Sequence, residues 1–263
     1  MKKSTDHSKQ IQNGNSFVQL SLSLFVLVLG WYLVIWIGDI QQFILPAPLQ
    51  VIERFIDSLT SGSLLYHFGI TLLEVILGLL IGSGLASGLG YLLAKSPRLE
   101  KFFTPYIVAS QSVPTVAIAP LLVIWFGTGI NSKVFICILI VFFPILINTI
   151  VGVRSVSRDL RDLMRSLNAS PWQIFRYLEL PASLPVVFGG LKVGATLSVI
   201  GAVVGEFVGA DRGLGFLINV ARGQYDTALV FVAVFALIVM AMSLYFLVNL
   251  LESIVIKWKL ADS

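Results

Sequence analysis

Few residues in this chain of 263 are of a type that does chemistry, and their spacing excludes most of it. Cys137 is the only cysteine, so it can form neither an internal disulfide nor a thiolate cluster. His7 and His67 are the only histidines. They lie far apart, one in a polar tail and one in an expected loop, which gives a metal site or a proton relay little to build with. A nucleotide-binding P-loop needs G-x-x-x-x-G-K-[ST] after a strand. The nearest string, GYLLAKS at Gly90–Ser96, lacks the second glycine and ends an apolar run. An intramembrane enzyme needs paired groups at one depth, such as Ser and His or two Asp, and no such pair is found. No catalytic residue, cofactor or metal is therefore expected.

Ionisable residues inside apolar runs mark ion or solute paths, because burying them in lipid is costly. There are few. Lys192 lies roughly 10 Å beyond Pro185 at helical rise and can snorkel to the near surface, whereas Glu206 lies about 31 Å beyond it, at the far interface. Glu74 and Glu252 fall near the ends of their runs. None is clearly central, which weakens a self-powered transporter or channel. The polar residues Gln111, Ser112 and Thr115 flank Pro114, with Pro120 following. Proline frees backbone groups that neighbouring helices or a cavity must satisfy. These residues therefore either line a path or bond to adjacent helices.

The elements that hold these residues are membrane helices. The chain is 57% hydrophobic and 12% charged, against about 25% charged in a soluble domain. A span needs about 20 mostly apolar residues. Runs of that length occur at Phe17–Ile37, Gly69–Ala94, Thr104–Phe126, Val134–Val153, Pro185–Val208 and Ala228–Ile256, predicting an all-α polytopic protein with six transmembrane helices. Basic residues gather before the first run (Lys2, Lys3, Lys9), after the second (Lys95, Arg98, Lys101), after the fourth (Arg154, Arg158, Arg161, Arg165, Arg176) and after the sixth (Lys257, Lys259). The positive-inside rule then puts both termini in the cytoplasm. That placement accounts for the net charge of +4 without nucleic acid. The expected organisation is a polar tail at 1–16, a first span at 17–37, an external loop at 38–66, a transmembrane domain at 67–258 and a tail at 259–263.

Glycines recur at small-xxx-small spacing in the second run (Gly78, Gly82, Gly84, Gly88, Gly90) and the fifth (Gly190, Gly194, Gly201, Gly205, Gly209). Such spacing lets helices approach closely. Packing within one subunit is favoured over a seam between two.

One segment, 154–181, departs from the pattern. Leu160, Leu163, Met164 and Leu167 form a single helical stripe, with Arg158, Asp159, Arg161, Asp162 and Arg165 off it. Asn168 tolerates the left-handed conformation that ends helices. Ser170 is a good N-cap, Pro171 suits the first helical position, and Gln173 completes a capping box. Trp172, Phe175 and Leu178 follow on adjacent turns, and Pro181 is expected to stop the second helix. Two short helices meeting at a sharp turn fit a knob inserted into another protein. An amphipathic helix lying on lipid is the alternative.

The segment resembles the EAA loop of permease subunits of bacterial ABC importers, whose pattern reads E-A-A, three residues, G, nine residues, I-x-L-P. The closing element falls on Leu178-Glu179-Leu180-Pro181, the glycine position on Asn168, and E-A-A on Asp162, Leu163 and Met164. The acid is kept as Asp, both alanines are replaced, and Asn stands for Gly. LPAP at 45–48, PTVAIAPLLVIWFGTG at 114–129 and GEFVGADRGLGFLI at 205–218 are similar to the nitrate/sulfonate/taurine branch, and the last to permeases for flavin or thiamine-pyrimidine precursors. The resemblance implies a type I ABC importer permease fold in a bacterial inner membrane. Its cytoplasmic coupling helix would dock on an ATPase through Asp162, Arg165, Ser166, Leu167, Asn168, Ala169, Ser170, Pro171 and Trp172. It also implies two ATPase copies, an external solute-binding protein, for which Asp211, Arg212 and Gly213 are the candidate contacts, a homodimer of this chain and contact with membrane lipid; the candidates for its path are Gln111, Ser112, Pro114 and Thr115, from the proline break noted above. A secondary transporter or channel working without an ATPase is the alternative.

Overall fold

The computed structural model describes residues 22, 23 and 25–256. The tails expected at 1–16 and 259–263, and the first residues of the span expected at 17–37, lie outside the described residues. All the described regular structure is helical. In chain order the helices are α1 (Phe25–Gly38), α2 (Pro48–Thr60), α3 (Ser63–Lys95), α4 (Pro97–Gln111), α5 (Thr115–Phe126), α6 (Ile130–Arg154), α7 (Arg158–Ser166), α8 (Pro171–Ile174), α9 (Leu180–Gly209), α10 (Leu214–Gly223) and α11 (Thr227–Val255).

Four helices are long and apolar enough to cross a membrane: α3, α6, the unbroken rod of 39 residues from Pro171 to Gly209, and α11. The third expected span is not one straight helix. Its halves, α4 and α5, meet at 92°, because Pro114 has no N–H for the ladder and Ser112–Val113 turn the chain out of helix. The pair counts as a fifth span only if taken together. The shorter α1 occupies the place of the first.

Helix α6 is the axis of the bundle. It packs on α3 and α9 through the glycines of both. A Cβ added at Gly78 would stand 2.2 Å from Cys137 Cβ, and one at Gly201 would stand 3.0 Å from Cys137 Cα. Cys137 is thus fully buried where three helices meet, and its thiol donates to Ser198 O at 3.3 Å. Gly82 meets Val141, Gly90 meets Thr149, and Gly194 meets Ile145 in the same way. These glycines pack within the subunit. A Cβ added at Gly84 or Gly88 would meet nothing within 4 Å.

Two expectations fail outside the bundle core. Residues 38–66 are not simply a loop, since they contain the amphipathic helix α2. Pro48 opens it, and Gln50 Oε1 accepts from Ala47 N at 3.0 Å. Arg54 then ties it to Asp226, the cap of α11, at 2.8 Å. His67, expected in a loop, lies on the first turns of α3.

Candidate functional site: the insert and its root

The insert begins where Ser157 Oγ accepts from Asp159 N at 3.2 Å, capping α7. The far end of α7 closes as a Schellman motif. Ala169 N donates to Met164 O at 3.0 Å and Asn168 N to Arg165 O at 2.9 Å, with Asn168 at φ +54°. The next helix starts two residues later. Ser170 Oγ accepts from Gln173 N at 3.3 Å and Gln173 Oε1 accepts from Ser170 N at 2.7 Å, the reciprocal capping box expected from the sequence. The turn is therefore held by main-chain bonds and short local side chains, without help from the rest of the molecule.

Its surface is open. Asp162, Arg165, Ser166, Leu167, Asn168, Ser170, Pro171 and Trp172 are exposed and Ala169 is half-buried. Leu167 is 69% and Trp172 68% exposed, and Leu160 and Leu163 are exposed beside them. Contiguous exposed apolar side chains of this kind mark interaction surfaces.

Pro181 does not stop the second helix. From Phe175 to Glu179 the chain widens into a π-turn, with Leu180 N donating to Phe175 O. It then runs on as α9, where Pro181 and Pro185 are both accommodated. Proline withholds one N–H, and the π-turn shifts the ladder by one residue just before it, so the rod bends its bonding rather than breaking. The expected second short helix is consequently the first turn of a long one, and the fifth span starts well before Pro185.

The root of the insert carries a cluster that the sequence did not reveal. Glu179, fully buried, accepts at Oε1 from Lys95 Nζ at 2.5 Å and from Arg161 Nε at 3.1 Å, and at Oε2 from Tyr91 Oη at 3.0 Å. Arg161 also donates to Val153 O at 2.5 Å. One carboxylate thus binds α3, α7 and the base of α9 together, and Arg161 ties in the end of α6. Burial raises the strength of these bonds and the cost of losing one partner. The partners of Glu179 lie 18 to 88 residues away, so no spacing rule could have joined them. Beside the cluster a cavity of about 680 Å³ opens between α3 and α8–α9, walled by Tyr91, Trp172, Phe175 and Leu184.

The other expected site residues fall in two places. Gln111, Ser112 and Pro114 are exposed and Thr115 half-buried, all at the bend between α4 and α5. Asp211 and Arg212 are exposed, and Arg212 Nε donates to Asp211 Oδ1 at 2.9 Å. The guanidinium holds the Asp211 carboxyl below the usual carboxylate range. Gly213 is buried and corrects the expected contact surface. Its φ is +105°, its N donates to His67 Nδ1 at 3.0 Å, and an added Cβ would stand 2.1 Å from Glu206 Oε1. It shapes the loop from inside.

Lys192 pairs with Glu252 at 2.5 Å and with Asn249 Oδ1 at 2.7 Å. The pair locks α9 to α11.

Comparison with known proteins agrees with this architecture. The chain is 44% identical over 240 residues to a riboflavin transport system permease protein of Chloroflexus aurantiacus, covering 91% of this chain and 90% of that one. It is 36% identical over 250 residues to a formylaminopyrimidine transport permease protein of Halalkalibacterium halodurans, covering 93% and 98%. To the taurine transport system permease protein of Escherichia coli it is 31% identical over 236 residues, covering 86% of each. The fold matches a chain of the inward-facing MetNI methionine ABC transporter with a TM-score of 0.62 at 18% identity, covering 77% of this chain and 98% of that one. The family model for binding-protein-dependent transport system inner membrane components matches residues 78–258, from the glycine stripe of α3 through the insert to the end of α11. The chain belongs to that family and is a permease of an ABC importer.

Proposed function

We propose that this permease forms the path for a flavin or a thiamine-pyrimidine precursor, delivered by an external binding protein and driven by two ATPase subunits docked on the insert. The observation that carries the docking is the insert itself. It is a locally specified turn with exposed Leu167 and Trp172, bolted through Glu179 to the base of a spanning rod. An amphipathic helix resting on lipid needs neither the Schellman turn nor the bolt. The relatives support the solute class. Identity is 44% and 36% to permeases named for riboflavin and formylaminopyrimidine, against 32% and 31% to those named for aliphatic sulfonates and taurine.

In this reading two copies of the chain face each other. Both termini and the insert are cytoplasmic, and the bend near Gln111, Ser112, Pro114 and Thr115 lines the path. Asp211 and Arg212 meet the binding protein. Closure of the ATPase pair moves the insert, and the rod from Pro171 carries that motion through the bundle.

The test is uptake in proteoliposomes holding the permease with and without its ATPase, with binding protein supplied outside. Uptake of riboflavin or formylaminopyrimidine that requires both the ATPase and ATP is the expected result. Uptake without the ATPase would replace this reading with a secondary transporter or channel. ATP-dependent uptake of taurine but of neither heteroaromatic solute would overturn the solute class alone.

A further inference from the structure

At the end of the bundle opposite the insert lie two neighbouring carboxyls, Glu206 and Glu74, and the chain treats them differently. Glu206 is fully used. Its Oε1 accepts from Thr71 Oγ1 at 2.7 Å and its Oε2 from Gly215 N at 2.5 Å. Thr71 in turn accepts from Leu214 N at 2.8 Å. Glu206 thereby fixes the loop between α9 and α10 on α3. Glu74 is 3% exposed, and its Oε2 has no hydrogen-bond partner among the described residues. Buried polar atoms without partners are rare, and each calls for a physical explanation.

Glu74 lines a cavity of about 380 Å³ together with Ile70, Leu73, Ile130, Lys133 and Arg212. That is a small-molecule volume, with apolar walls and a few polar groups. Lys133 is 1% exposed. It donates to the carbonyls of Thr128 and Gly209, which occupies two of its three N–H donors. The cavity thus presents an acceptor on Glu74 and donors on Lys133 and Arg212 between aliphatic side chains. A ligand that fits has a flat apolar body and an edge with an N–H beside a carbonyl or ring nitrogen.

From this we infer that the cavity is a recognition site for the N–H-bearing edge of a neutral heteroaromatic solute, with Glu74 as the specificity-determining residue. A sulfonate group carries no N–H and makes no such bond with Glu74. The inference rests on the solute class proposed above and adds where that solute is read.

The experiment uses the complete transporter (permease, ATPase and binding protein) with the variants Glu74→Gln and Glu74→Met. It measures riboflavin and formylaminopyrimidine uptake and the thermal midpoint of the empty complex. Methionine has similar length and no charge and keeps the packing volume at this site, so the midpoint is expected to change little. Uptake is expected to fall at least tenfold in Glu74→Met, with a higher KM and little change in kcat, and less in Glu74→Gln. A drop in midpoint that parallels the drop in uptake makes Glu74 a structural residue and overturns the inference. So does unchanged uptake by Glu74→Met, which leaves the proposed solute class standing. A native transporter that takes up neither compound overturns both.

Discussion

Arg161, in the first helix of the insert, donates through Nε to the buried carboxylate of Glu179 at 3.1 Å, on the far side of the turn that Asn168 makes. The two ends of the insert are thereby clamped to each other and, through Lys95, to α3. Glu179→Gln keeps the shape but removes the charge that two cations share, and Glu179→Ala leaves Arg161 largely buried without its acid. Breaking such a pair costs about 3 kcal/mol. Both variants are expected to insert and to bind the ATPase, since the docking face is untouched, but to hydrolyse more ATP per solute moved. Unchanged coupling in Glu179→Ala, read as the ratio of uptake to phosphate release, would remove the clamp from the mechanism.

The turn itself is sensitive to backbone shape. Asn168 sits at φ +54°. Asn168→Gly adopts that conformation freely and retains coupling. Asn168→Val fits it badly, with a cost of about 1–3 kcal/mol. Ser170→Ala removes the cap and costs about 1 kcal/mol. Pull-down of the ATPase by each variant, with substrate-stimulated hydrolysis, checks the order: wild type and Gly, then Ala, then Val. Normal assembly and transport by Asn168→Val would favour a helix resting on lipid.

Orientation has a direct test. A cysteine at Ser166, exposed on α7, should react with a membrane-impermeant thiol reagent only from the cytoplasmic side, in a chain whose Cys137 is buried. Labelling of intact cells from outside inverts the topology and removes the ATPase from the insert.

Cysteines at Gln111, Ser112 and Thr115, at the 92° bend, are expected to react faster with water-soluble reagents than those at Leu122 and Ile124. The difference should change when ATP and vanadate arrest the transporter. Equal, low rates in every state would make the bend a packing feature.

The two glycine faces of α3 should differ sharply. Gly78→Ala brings a methyl into Cys137 and is expected to destabilise the detergent-solubilised protein by about 1–3 kcal/mol. Gly84→Ala meets nothing within 4 Å in one subunit and should be neutral there. A lower midpoint for Gly84→Ala only when the protein is dimeric would locate the subunit seam on that face.

What could be read from the chain alone was whatever is encoded within a few residues. The cap at Ser170, the left-handed Asn168 and the apolar runs were legible, because capping boxes and periodicity act over one or two turns. Helix α2 was missed although Val51, Phe55 and Leu59 repeat at helical spacing after Pro48. A stretch of 13 residues is too short for a span and was absorbed into a loop. The continuation through Pro181 was not legible, since proline is locally a stop and only a π-turn packed on α3 converts it into a passage. Glu179 and Glu74 were illegible for a related reason. One is defined by partners far along the chain, and the other by an oxygen left unpaired beside a cavity, which no sequence displays.

The unbroken rod has a mechanical consequence. At helical rise, 39 residues make about 58 Å, nearly twice a hydrocarbon core of about 30 Å. Trp172 is at one tip and Glu206 near the other. A stiff beam pivoting at its midpoint moves both tips equally and oppositely, so a tilt of about 10° displaces each by about 5 Å, nearly one helical turn. On the proposed coupling, a push of that size at the insert would reach the α9–α10 loop, which Glu206 and Thr71 hold on α3. The stroke would then be set by the length of the beam and by where along it the pivot lies.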